Sequence, residues 1–395
     1  MSEVAATAAP HEETATERVL HRLTGLDIAR ALAIFGMVIV NYRSTFHETG
    51  EAPPWLETLA NQVNGRAAAT FVFLAGIGIA LLSRKSRTSG DKELIREDRR
   101  DLFRRALFLL AIGFLFRQVW EYDILHFYGA WLIMAAVVLT VRNVWLIAIA
   151  LSMVAIFPFL YFVLPDALGI TFWDTTNAFT WRDIAIDYFF QGYHPIAPWF
   201  AFMCIGMAVG RLDLADVKIR RNLLIAGIAM IAIGEGLAGV MLDVGYFKLL
   251  EDIFPTLDLN EANPIIDTDS YPPMPLFVLV GTGWAMTIVS LCFGFGLRFG
   301  DRRWVTPIVH TGQLALTIYI LHGTVGVWAV GWAGYKPYQS LAWILTYCVI
   351  FYLVAILFAT LWRRRYSRGP VEAIMRRLTD RWESEINPVK PASEA

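Results

Sequence analysis

Asp27 and Arg30 stand three residues apart inside GLDIARALAIFGMVIVNY, an otherwise apolar stretch that closes on Asn41 and Tyr42. On a helix that spacing places an acid and a base on one face, where they pair. Ionisable groups within an apolar span are costly and mark function when they face protein or a polar cavity. The plain alternative is a pair at headgroup depth with a snorkelling arginine. A guanidinium suits phosphate, which it meets with two parallel donors, so Arg30 with Asp27 is a candidate site for an anionic ligand.

Histidine offers the second kind of chemistry, because its pKa lies near neutrality and one ring suffices as an acid or base. His126 follows Asp123 by three residues in EYDILHFYGAW, and the carboxylate is placed to orient or charge-stabilise it. It is the first candidate for a general base. His47 lies in NYRSTFHETGEAPPW, His194 opens a later apolar run and His322 lies within another. Metal spacings of the HxxxH or CxxC kind are missing, and no metal is expected. Cys204, Cys292 and Cys348 lie far apart in apolar runs and read as buried free thiols. Neither a GxSxG elbow nor a Walker loop is present, which removes serine-hydrolase and P-loop readings.

The elements that position these residues are apolar helices. The 395 residues are 56% hydrophobic and 17% charged, with a mean hydropathy of +0.49. Soluble domains average about 45–50% apolar and about 25% charged. The composition predicts an all-α, polytopic integral membrane bundle. Ten stretches approach the roughly 20 apolar residues of a span: 25–43, 65–83, 104–119, 124–141, 144–164, 194–211, 222–242, 273–298, 305–330 and 341–362. The link Arg84–Arg105 holds nine Lys and Arg, whereas Ser44–Asn64 has none and Asp243–Pro272 sets seven acids against Lys248. This bias alternates along the chain and predicts cytoplasmic termini in a cell membrane. With a net charge of −1, nothing argues for nucleic acid. The lipid bilayer is the evident partner.

Residues 1–20 and 383–395 read as disordered cytoplasmic tails around a bundle over 21–365. In 366–382, Val371, Ile374, Met375 and Leu378 fall on one face beside Arg376 and Arg377, predicting a basic amphipathic helix on the inner membrane surface. The aromatic loop of about 165–193 is expected to fold back over the outer end.

Leu26-Asp27-x-x-Arg30, with Ala33-Ile34-x-Gly36 and Asn41, resembles the opening of two related groups. They are the YeiB-like multipass family and the heparan-α-glucosaminide N-acetyltransferases. Asp123-Ile124-Leu125 with Tyr128-Gly129, Gly312-Gln313-Leu314-Ala315-Leu316-Thr317 with Tyr319, and Gly369-Pro370-Val371-Glu372 leading to Arg377-Leu378-Thr379 are similar to the YeiB-like group. The acetyltransferase resemblance implies an acyl group taken from cytosolic acetyl-CoA and delivered across the membrane to a sugar amine. Asp27, Arg30 and Asn41 match the shared opening. His47 lies in the loop that corresponds to the catalytic histidine's, in different surroundings, while Trp55 stands nearer the family spacing before Phe71-Val72-Phe73.

The expectation is a transmembrane acyltransferase using acetyl-CoA or another acyl-CoA. Arg30 and Asp27 would hold the donor, and His126, Asp123, His47 and His322 are the catalytic candidates. The acceptor would be a small-molecule or glycolipid hydroxyl or amine, and a homodimer is one admissible assembly. Arg30 and Asn41 should stand about 16 Å apart on one helix, within reach of an extended pantetheine arm. The competing readings are a small-solute transporter without chemistry and a non-catalytic envelope factor.

Overall fold

The computed structural model describes residues 15–120, 123–168, 180–243, 266–334 and 338–379, and every regular element within them is helical. In chain order these are α1 (Ala15–Thr45), α2 (Pro54–Asn61), α3 (Arg66–Leu82), α4 (Arg84–Ser89), α5 (Lys92–Arg117) and α6 (Leu125–Val137). There follow α7 (Asn143–Phe162), α8 (Leu164–Ala167), α9 (Trp181–Ile186), α10 (Ile196–Gly210) and α11 (Val217–Asp243). The last are α12 (Pro275–Phe299), α13 (Thr306–Gln313), α14 (Ala315–Leu321), α15 (Val327–Trp332), α16 (Leu341–Arg363) and α17 (Pro370–Thr379).

Local chemistry sets several of these limits. Pro54, Pro275 and Pro370 sit in the first turns of α2, α12 and α17, where a missing N–H costs nothing. Asp91 caps α5 by accepting from the backbone N–H of Glu93 at 2.8 Å. Turns of π-helix at Asp187–Gln191 and His322–Gly326 follow α9 and α14. Such turns recur at functional sites because they re-aim side chains.

All ten stretches expected to span are helical over most of their length. Seven described helical segments are long and apolar enough to cross a membrane, and α6 and α10 are shorter apolar helices. The expected third span is the apolar half of α5, whose first half is charged. The ninth is no single helix, because Leu314, at φ −103° and ψ 25°, divides α13 from α14. The tails expected at 1–20 and 383–395 lie mostly or wholly outside the described residues, as do 169–179 of the aromatic loop and 244–265 of the acidic one.

Burial sorts the helices into layers. The apolar windows of α1, of α2 with α3, and of α12 are 61%, 72% and 67% buried, against 22% for each of α7, α11 and α16. The first group forms the centre. The second shows apolar side chains outward, as lipid-facing helices do. α3 and α10 cross closely because both carry glycine at the contact. A Cβ on Gly76 would lie 2.2 Å from the Met203 carbonyl oxygen, and one on Gly206 2.1 Å from that of Phe73. Beside this crossing Trp131 stacks on Trp199 at 6.1 Å, and Trp199 packs on Phe277 at 5.7 Å. These buried rings fix α6, α10 and α12 around the site.

Candidate functional site

Arg30 lines a cavity of about 320 Å³ together with Arg105, Phe71, Tyr128, Leu109 and Met375. Its Nη1 lies 2.7 Å from Asp27 Oδ1, as the spacing predicts. Asp27 is buried, and its second oxygen accepts from Gln313 Nε2 at 3.0 Å. A Cβ at Gly312 would fall 1.8 Å from the Asp27 carbonyl oxygen, so only glycine lets α13 approach so closely. Thus the Gly312-Gln313 pair serves α1. Arg105 lines the same cavity, and among the described residues no carboxylate pairs with it. Arg30 is paired with Asp27, so among the described residues Arg105 is the charge of this cavity without a carboxylate partner.

A second cavity, of about 370 Å³, is lined by Asn41, Arg43, His194, Trp199, Tyr271 and Tyr319, among others. Arg43 is held by Glu48 at 2.6 Å and Asn61 at 3.0 Å. The Asn41 Nδ2 lies 2.9 Å from His322 Nε2. The other ring nitrogen, Nδ1, faces the Tyr319 carbonyl, which can only accept, so Nδ1 carries the proton. Nε2 therefore accepts from the Asn41 amide. His322 is a buried, neutral ring pointing its lone pair at a residue of the cavity wall.

His126 and Asp123 are brought together at 3.0 Å, both fully buried. Nε2 of His126 lies 3.5 Å from Asp187, and Asp187 is itself held by Arg117 at 2.7 Å. The hydroxyl of Tyr188 donates to the His126 carbonyl at 3.0 Å. His126 lines neither cavity, so Arg30 and His126 do not share one chamber. Its tie to the Asn41 cavity runs through Tyr319. That hydroxyl lies 3.4 Å from Asp123 Oδ1 and accepts from the Ile124 N–H at 3.0 Å, while the Tyr319 carbonyl holds His322. Three of the four catalytic candidates, Asp123, His126 and His322, thus form one network. His47 lies apart, exposed and at φ 43°, its ring 5.4 Å from that of Tyr338.

His194 is the site residue that the spacing rules passed over. It lines the Asn41 cavity, its ring 4.5 Å from that of Trp199, and its buried Nδ1 has no hydrogen-bond partner among the described residues. Its place at the start of an apolar run was the available signal, but nothing local marked it above the other histidines. Among the described residues no group of three or more His, Cys, Asp or Glu is arranged to hold a metal ion.

The cavities nearly meet. On α3, Ala68 lines one and Phe71 the other; at the start of α6, Ile124 lines one and Tyr128 the other. At about 1.5 Å per residue these are axial separations of roughly 4.5 and 6 Å. Phe71 and Tyr128, with ring centroids 5.9 Å apart, line the Arg30 cavity.

An all-α polytopic bundle with a basic cavity near one end and a polar cavity a helical turn away has the form of a membrane acyltransferase-like protein. The chain matches the heparan-alpha-glucosaminide N-acetyltransferase catalytic family over residues 22–229, more than half its length, and it belongs to that family. Residues 272–381 match a protein of unknown function (DUF418), the YeiB-like part of the resemblance. The uncharacterized protein YeiB of Escherichia coli (strain K12) is 30% identical over 95 residues, 24% of this chain and 25% of that protein. The chain therefore aligns with only a quarter of that relative's length.

Proposed function

We propose that the protein transfers an acyl group from acyl-CoA, acetyl-CoA in the first instance, bound in the Arg30 cavity to an acceptor in the Asn41 cavity. The observation that carries this reading is the approach of the two cavities to within about a helical turn of each other along α3 and α6. Arg105, with no carboxylate partner among the described residues, and Arg30 offer planar donors to the phosphates of coenzyme A. The pantetheine arm would pass Phe71 and Tyr128, whose rings must turn aside for it. On the other side Asn41 and His194 supply polar groups, and the exposed Tyr271 a hydroxyl and a ring face for a sugar.

In the reaction the acceptor nitrogen or oxygen attacks the thioester carbonyl. The new C–N or C–O bond forms, the C–S bond breaks, and the thiolate of coenzyme A leaves. The acceptor proton goes to a histidine. His194 lies on the wall and is placed to take it, while His322, whose Nε2 accepts from the Asn41 amide, positions that amide. The Asp123–His126 pair acts one step removed, holding Tyr319 in place. By the Lys/Arg bias the Arg30 cavity is cytoplasmic and the acceptor a glycolipid or small sugar outside, in the cell membrane.

Thermal stability of the purified protein tests the donor site. Acetyl-CoA should raise the melting temperature, since a ligand that favours the native state stabilises it. Arg30→Gln with Arg105→Gln should abolish the rise. No stabilisation of the unmodified protein would refute the donor assignment. Two cavities this close along the bundle also suit a small-solute transporter. That reading expects solute flux in vesicles independent of acetyl-CoA.

A further inference from the structure

A groove of about 560 Å³ lies between α5 and α6, lined by Arg96, Arg99, Arg100 and Arg104 together with Phe103 and Val137. It shares no lining residue with either cavity described above. Its charge is only partly spent. Arg96 pairs with Glu93 at 2.6 Å, but both side chains are exposed, where such pairs are weak. Arg104 lies 3.8 Å from Asp101 and donates to the Thr379 carbonyl at 3.1 Å. Arg99 is fixed by the Ala136 carbonyl at 3.1 Å, and among the described residues no carboxylate pairs with Arg99 or Arg100.

The other half of the groove is apolar and bare. Phe103 and Val137 are 46% and 70% exposed. Along α5 the exposed residues Arg96, Arg100, Phe103, Leu107, Ala111 and Leu115 recur every three or four positions, forming one stripe. The stripe begins with guanidinium groups and continues as hydrocarbon. From Phe103 to Leu115 it runs for about 18 Å, close to the roughly 15 Å of one leaflet's acyl region. A soluble phosphate would use only the arginines and leave the hydrocarbon column without a partner.

We propose that this groove is a binding site for an anionic phospholipid. Its phosphate sits among Arg96, Arg99 and Arg100, and an acyl chain lies along Phe103, Leu107 and Leu115. Charge complementarity and the continuation of the basic patch into an exposed apolar stripe select an amphiphilic anion over a nucleotide or a second copy of the chain.

Native mass spectrometry of the full chain, purified after reconstitution with phosphatidylcholine and a minor fraction of phosphatidylglycerol, reads the site directly. The unmodified protein should retain phosphatidylglycerol over phosphatidylcholine by about tenfold or more relative to the mixture. Arg96→Gln with Arg100→Gln should bring retention near parity; both side chains are exposed, so the fold should stand. Arg302→Gln with Arg303→Gln removes the same charge from another exposed basic link and should retain the enrichment. Absence of enrichment in the unmodified protein would overturn the proposal. An equal loss in the Arg302/Arg303 pair would reduce it to bulk charge and overturn it too. Displacement of the lipid by inorganic phosphate at matched concentration would identify a free-phosphate site and contradict it, as would lipid retained only by a dimer.

Discussion

Tyr319 shows why single residues here cannot be valued alone. Its hydroxyl serves Asp123 and the Ile124 N–H while its carbonyl sets the tautomer of His322. Tyr319→Phe leaves that buried N–H without a partner, which should cost about 1–3 kcal/mol of stability, measured as a lowered melting temperature. His194→Ala should reduce acyl transfer about a hundredfold or more, the scale of a lost acid–base group. His47→Ala should change it less than about twofold, because its exposed ring touches neither cavity. Steady-state rates with a saturating acceptor check both. The Asp27–Arg30 and Asp123–His126 pairs were legible because three-residue spacing is a local property of a helix. Gln313 as the partner of Asp27, 286 residues away, was not. Nor was the seclusion of His126 from both cavities, since sequence places a residue along a span without saying which way it faces.

At the scale of elements, α17 is the part whose role changed most. Its amphipathic pattern predicted a helix on the inner membrane surface, and a helix is found at Pro370–Thr379. One side of it grips the bundle. Glu372 accepts from the backbone N–H of Thr317 at 3.0 Å and from its hydroxyl, which in turn accepts from the Val371 N–H at 3.2 Å. Thr317 lies in the first turn of α14, where backbone donors lack helical partners, so Glu372 caps one helix from another. Met375 of the same helix lines the Arg30 cavity. Glu372→Ala should therefore cost about 1–3 kcal/mol and speed amide exchange across 370–379, whereas exchange in α7 should stay unchanged. Equal exchange in α17 would show that the capping contact does not hold it. Sequence marked the two motifs that meet here, Gly312–Thr317 and Gly369–Glu372, but periodicity carries no information about which distant segments pack together. The ninth run was long enough to tilt or kink, but its length does not place the break, which falls at Leu314 just after His310-Thr311-Gly312-Gln313.

For the molecule as a whole, the two matched regions, 22–229 and 272–381, meet at Asp27–Gln313 beside the Arg30 cavity and at Asn41–His322 and Ile124–Tyr319 at the other. Neither region alone completes the site. Composition made the bundle legible, and Lys/Arg bias gave each cavity an expected side. The enclosure of two separate cavities depends on aromatic side chains from different helices and could not be read from spacing. If Phe71 and Tyr128 form the partition, Phe71→Ala should let a longer acyl-CoA serve as donor, raising its kcat/KM about tenfold or more relative to acetyl-CoA, since removed methylenes relax a pocket by roughly this factor. The most direct test supplies isotope-labelled acetyl-CoA to one side of proteoliposomes and a glucosamine-type acceptor to the other. Labelled acetyl product should appear on the acceptor side and vanish with Arg30→Gln plus Arg105→Gln. Absence of product with the intact protein in either orientation, with acceptor flux independent of acetyl-CoA, would contradict transmembrane acyl transfer and leave a transporter in its place.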